Sequence, residues 1–185
     1  MDTTIKNWQQ DIQEITASFK DSFQSLDVET LHMKPDAKTW SIAENIQHLI
    51  VLNESYFPIF RQLEKGNYSK PFIGNFGFLT KALGKMILKS VAPENHKKFK
   101  TLPIWIPSKY EVPENKELLD QFEKHQKNLS RWIGQLKPFL ENKQVIHSPA
   151  NRLIAYPLEL AINIIISHEK RHYNQAFHLL EEIKK

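Results

Sequence analysis

The apolar residues of this chain recur at helical spacing over long stretches. Ile5, Trp8, Ile12, Ile15, Phe19 and Phe23 lie three and four apart, which predicts one amphipathic helix over about 3–25. Leu26 to Thr39 has mixed spacing around Lys34-Pro35-Asp36 and reads as a connecting loop. A second helix is predicted over 41–65, with the stripe Ile42, Ile46, Leu49, Tyr56, Phe60 and Leu63. Ser41 or Thr39 can cap it, and Glu44, three after Ser41, completes a capping box. Pro58 falls inside this span and should kink or shorten it.

Residues 66–112 break the pattern. They hold Pro71, Pro93, Pro103 and Pro107 and most of the glycines. A short helix near 76–90 is expected there, and Leu102 to Pro107 should be extended. The third helix should begin after Pro113, with Leu118, Phe122, His125, Leu129, Trp132 and Leu136 as its stripe, and Pro138 should end or bend it. The fourth should run from near Pro157 to about 183. No internal repeat or second domain is evident. The expected architecture is all-α: one domain over 1–185, a four-helix bundle with a long crossover segment between helices two and three.

Composition narrows the chemistry. Hydrophobic residues make up 41% of 185 and charged residues 25%, so a folded core is expected and wholesale disorder is excluded. There is no cysteine, which removes disulfides, thiolate metal sites, iron–sulfur clusters and a cysteine nucleophile. Any metal must then use His, Asp, Glu or backbone oxygen. The net charge is +4, carried mostly by lysine, since arginine occurs only at 61, 131, 152 and 171. No nucleic-acid partner is expected from so lysine-dominated a surface. The N-terminus lacks a signal-peptide layout, and the most apolar run, Leu153 to Ile166, is interrupted by Pro157 and Glu159. A cytoplasmic protein with no membrane partner is expected.

The chemistry then rests with eight histidines. His168 and His172 are four apart on the last helix, a rotation of about 40°, so both rings project from one side. That side also carries Ala161, Ile164, Ile165, Gln175, Ala176, Leu179 and Ile183, which places both imidazoles toward the core. Burying them requires partners for their nitrogens. A shared metal supplies one to each, and two separately hydrogen-bonded core histidines are the competing account.

His168-Glu169-Lys170-Arg171-His172 also spells the zinc-protease pattern H-E-x-x-H, and His178 falls at the metzincin spacing. Gln175, however, stands where that pattern has the Gly that ends the helix. A continuing helix turns His178 about 80° or more away from the other two. Glu169, at the edge of the stripe, need not face a metal. A third ligand should come from another helix. His48, mid-helix at one edge of its stripe, is a candidate, although a shoulder histidine accounts for it equally; His125, within the stripe of helix three, is the competitor. His32, His96 and His147 read as loop residues.

Two stretches resemble a known family. Trp40-Ser41 with Glu44 and His48-Leu49 is similar to the W-S-x-x-E-x-x-x-H-L signature of the DinB-like superfamily, and His168-Glu169-Lys170-Arg171-His172-Tyr173-Asn174-Gln175 to its H-x-x-x-H-x-x-Q signature. The segment Phe99 to Ser108 resembles the extended stretch that precedes helix three in many members. The resemblance implies a four-helix bundle holding a divalent metal (Zn, Ni, Mn or Fe) on His48, His168 and His172. It further implies a metal-dependent enzyme acting on a small-molecule substrate, in many members as a homodimer. Some members transfer low-molecular-weight thiols such as bacillithiol, some isomerise with mycothiol or glutathione, and others are described as metal-dependent hydrolases; for this chain, hydrolysis of a small amide or ester is the alternative to thiol transfer. With no cysteine in the chain, any thiol must arrive as a cofactor. Arg171 is a candidate to hold a carboxylate of cofactor or substrate, against a surface salt bridge with Glu169 or a neighbouring helix. Gln175 and Glu44 are candidates to orient a ligand imidazole. A non-catalytic, metal-stabilised binding or stress-response module is the remaining alternative.

Overall fold

The computed structural model describes residues 1–95, 97, 100–107 and 117–184. The predicted apolar stripes become its helices. Helix α1 spans Asp2–Phe23 and buries Ile5, Trp8, Ile12, Ile15, Phe19 and Phe23. Helix α3, Ile42–Glu54, starts at a complete capping box: Ser41 Oγ accepts from the Glu44 amide, and the Glu44 carboxylate accepts from the Ser41 amide. Helices α6 (Glu117–Gln135) and α8 (Leu158–Ile183) supply the other long stripes. Helix α1 packs on α6 and α8, and α3 packs on the same two. One apolar core runs between them, with Phe19, Ile46, Leu49, Phe122, Leu129 and Ile165 almost wholly buried.

The departures from the sequence reading have local causes. The span 41–65 is two helices, because the chain turns at Ser55–Tyr56 and Pro58 opens the separate α4, Phe57–Glu64, from its first turn. Pro138 likewise opens a short helix, α7 (Lys137–Glu141). The presumed loop 26–39 contains helix α2, Val28–His32, capped by Asp27, whose carboxylate accepts from the Thr30 amide at 2.7 Å. The expected short helix is present as α5, Gly77–Val91. The stretch 102–107 is not wholly extended, since Pro103–Trp105 makes a 3₁₀ turn. Pro113, the expected start of helix three, lies outside the described residues.

The all-α reading fits broadly, with one addition. Strands β1 (Val145–Ser148) and β2 (Asn151–Pro157) form an antiparallel hairpin, pairing Val145 with Pro157 and Ile146 with Tyr156. The protein is mostly helical, with this small sheet beside α5. His147, read as a loop residue, lies on β1 and is buried. Tyr156 anchors the hairpin, its hydroxyl 2.8 Å from that of buried Tyr56. Among the described residues, no helix is long and apolar enough to cross a membrane.

Candidate metal centre

The capping box fixes where α3 begins, and the site is assembled from that point. His48 lies two turns into α3 and is 2% exposed. Its Nδ1 is 2.6 Å from the carbonyl of Trp105. A carbonyl only accepts, so Nδ1 carries the proton and Nε2 presents a lone pair. The 3₁₀ turn holding that carbonyl is itself pinned, because Trp105 Nε1 donates to Ser55 Oγ at 3.2 Å.

From α8, His172 meets Asn45, one turn before His48. The Asn45 Nδ2 donates to the Ser41 carbonyl at 2.9 Å, which turns Oδ1 toward His172. His172 Nδ1 therefore donates to Oδ1 at 2.7 Å, and its Nε2 is also left bare. His168 Nε2 sits 3.1 Å from His172 Nε2. The buried His168 Nδ1 has no hydrogen-bond partner among the described residues. The three rings converge, with centroids 4.4–5.1 Å apart. Trp40 covers two of them, nearly parallel to His172 at 5.8 Å and tilted against His48 at 4.7 Å.

One ligand nitrogen from each of His48, His168 and His172 lies within 4.8 Å of the others, so the group could hold a metal ion. The donors fit that role. Two nitrogens bound tetrahedrally to one ion at about 2.05 Å are roughly 3.3 Å apart, close to the His168–His172 spacing. Electrostatics favours the ligating state as well. Burial lowers His48 to about 4, against the opposing pull of the Trp105 carbonyl. Burial, then the neighbouring imidazoles and Arg171, hold His168 and His172 well below the usual range. All three rings are neutral at neutral pH, the form that binds metal.

The other candidates fall elsewhere. His125 is buried between helices, stacked on Phe57 at 5.6 Å and 3.6 Å from Glu54, outside the cluster. His178 is exposed beside Glu181. His96 lies outside the described residues. Glu169 is fully buried, its oxygens accepting from Asn53 Nδ2 at 2.6 Å and Gln126 Nε2 at 2.9 Å. Burial pushes its carboxyl up to about 7, opposed by those two donors. It is held within that amide pair, which removes the protease-type geometry that H-E-x-x-H suggests. Among the described residues, Arg171 pairs neither with Glu169 nor with another acid: its guanidinium donates to the carbonyls of Ala92, Asn95 and, at 2.7 Å, Lys97. Gln175 is exposed, and Glu44 serves the helix cap and a 2.8 Å ion pair with Lys34. The residues that orient the imidazoles are instead Asn45 and Trp105, which the sequence reading left without a role.

Fold and site together define a mostly helical protein whose α3 and α8 join three histidines into one cluster suited to a metal ion. The chain belongs to the DinB superfamily, whose family model matches residues 8–176 and so includes all three histidines. No curated protein and no solved structure gives a significant match.

Proposed function

We propose that the protein is a metal-dependent enzyme that carries a divalent ion on His48, His168 and His172 and transfers a low-molecular-weight thiol to a small electrophilic substrate. The observation that carries the proposal is the convergence of the three imidazoles, with Nδ1 of His48 and of His172 each committed to a carbonyl oxygen so that Nε2 of both faces inward. The packing of α1, α3, α6 and α8 on one core supports reading these helices as the four-helix bundle of the family.

The chemistry such an ion supplies is Lewis acidity: three neutral ligands leave its charge unoffset, and a thiol or water presented there loses its proton more readily. The chain's own groups do the rest. Asn45 and the Trp105 carbonyl hold the imidazole tautomers. Trp40 walls one side and limits water. The sulfur must come with a cofactor, because the chain has none in cysteine. Arg171 acts through position, tying Ala92, Asn95 and Lys97 to α8 beside His172.

The test is metal analysis of the purified protein, then turnover with several cofactor thiols and a reactive electrophile, run beside an ester and amide panel. Thiol-dependent turnover lost in His168→Ala supports the proposal. Hydrolysis without thiol replaces it with a hydrolase, and metal binding with silence in both assays leaves a binding module.

A further inference from the structure

Away from the histidines, the surface around α5 combines two properties rarely left uncovered together. From Lys65 to Pro93 the sequence contains five lysines and no aspartate or glutamate. This stretch alone therefore carries more positive charge than the whole chain's net +4. It also bears large apolar side chains in the open: Phe72 is 79% exposed and Phe78 89%. Isolated exposed hydrophobics are ordinary, but several together in a lysine-bearing segment that holds no acid mark an interaction surface.

The geometry orders these groups. Helix α5 seats its inner side, at Thr80 and Gly84, against β2 and α8. A Cβ at Gly84 would stand 2.7 Å from Leu160 and 2.9 Å from Tyr156, so that side is tightly docked and the helix cannot roll. The outer side is divided lengthwise. Leu79, Ala82 and Met86 follow helical spacing along one edge, and Lys81, Lys85 and Lys89 along the other, all exposed. Phe78 sits at the head of both rows. Just upstream, the 3₁₀ turn Phe72–Asn75 sets Phe72 edge-on to Phe76 at 5.5 Å.

We propose that this face docks on an anionic lipid surface, with Phe72 and Phe78 entering the headgroup–acyl boundary and the lysine row lying among the headgroups. An amphipathic helix with an apolar edge headed by an aromatic residue, and a lysine edge beside it, is the arrangement that lies in the plane of such an interface. Lysine stems can stretch so that apolar neighbours sink while the ammonium groups stay wet. A second copy of the chain fits poorly, because a two-fold contact would set each lysine row against its own image or against the apolar row, with no acid from this segment to pair with the lysines. That no helix among the described residues can cross a membrane is compatible with this, since the face would lie on the bilayer rather than span it.

The test is flotation of the full-length protein with vesicles of equimolar phosphatidylglycerol and phosphatidylcholine, and with phosphatidylcholine alone. Binding to the anionic vesicles only, weakened by salt, is expected. Each lysine neutralised in Lys81→Gln, Lys85→Gln and Lys89→Gln should cost about fivefold, and Phe72→Ser with Phe78→Ser more than about tenfold. All of these positions are exposed, and unchanged melting temperatures will show that the variants fold. Failure of the wild type to float with anionic vesicles, or flotation undiminished in both variant sets, overturns the proposal. So does a wild-type dimer in sedimentation velocity that the double phenylalanine variant converts to monomer, because the face would then belong to a second copy.

Discussion

Asn45 governs the orientation of His172: with its Nδ2 given to the Ser41 carbonyl, its Oδ1 accepts the His172 Nδ1 proton at 2.7 Å. Hydrogen bonds of this kind set ligand tautomer, and their loss commonly weakens metal binding by about 10–100-fold. Asn45→Ala should show that weakening in a competition titration against a chromophoric chelator. Unchanged affinity would remove Asn45 from the site.

The three histidines should behave as a unit. His48→Ala, His168→Ala and His172→Ala should each abolish stoichiometric metal, whereas His125→Ala and His178→Ala should retain it, as read by elemental analysis after gel filtration. Loss of metal in His178→Ala would revive the protease-type arrangement, and no metal in the wild type would undo the site.

Chelation should lower the thermal stability of the wild type and leave His168→Ala unmoved. Ligand linkage gives about 2.7 kcal/mol at a free metal concentration of 100 times Kd. Scanning calorimetry with and without chelator, followed by metal restoration, reads this directly. Equal responses from both proteins would show that the effect does not come from this site.

Arg171→Met should release the backbone at Ala92, Asn95 and Lys97, whose carbonyls the guanidinium now binds. Faster amide exchange there, with metal content intact, is expected. If exchange stays slow while the KM of a carboxylate-bearing substrate rises alone, the side chain is a substrate anchor instead.

Gly84→Ala should destabilise the fold by about 1–3 kcal/mol, because its Cβ would press on Leu160 and Tyr156. Urea denaturation checks this, and a neutral result would mean that α5 can shift outward at little cost.

Much of this was legible in advance where one element decides the outcome. A single helix suffices to bury Ile5 through Phe23, and a single turn suffices to put His168 and His172 together. The capping box at Ser41 and Glu44 is equally local. The hairpin was not legible, because Leu153 to Tyr156 runs into the apolar start of α8 with only Pro157 between them, and a four-residue partner strand offers too short a period to read. The partners of the ligands were hidden for a different reason. Nothing in the neighbourhood of Trp105 says that its carbonyl meets His48, 57 residues away, and the edge position of Glu169 did not disclose that Asn53 and Gln126 enclose it.

The contact between Asn45 and His172 joins positions 127 apart in the chain. An ion shared by His48, His168 and His172 would tie the same two regions, closing most of the polypeptide into one loop. The entropy removed from the unfolded chain grows with the length of the loop that a link closes. In a sequence without cysteine, this cluster is placed where a long-range disulfide would otherwise do most to restrain the unfolded ensemble.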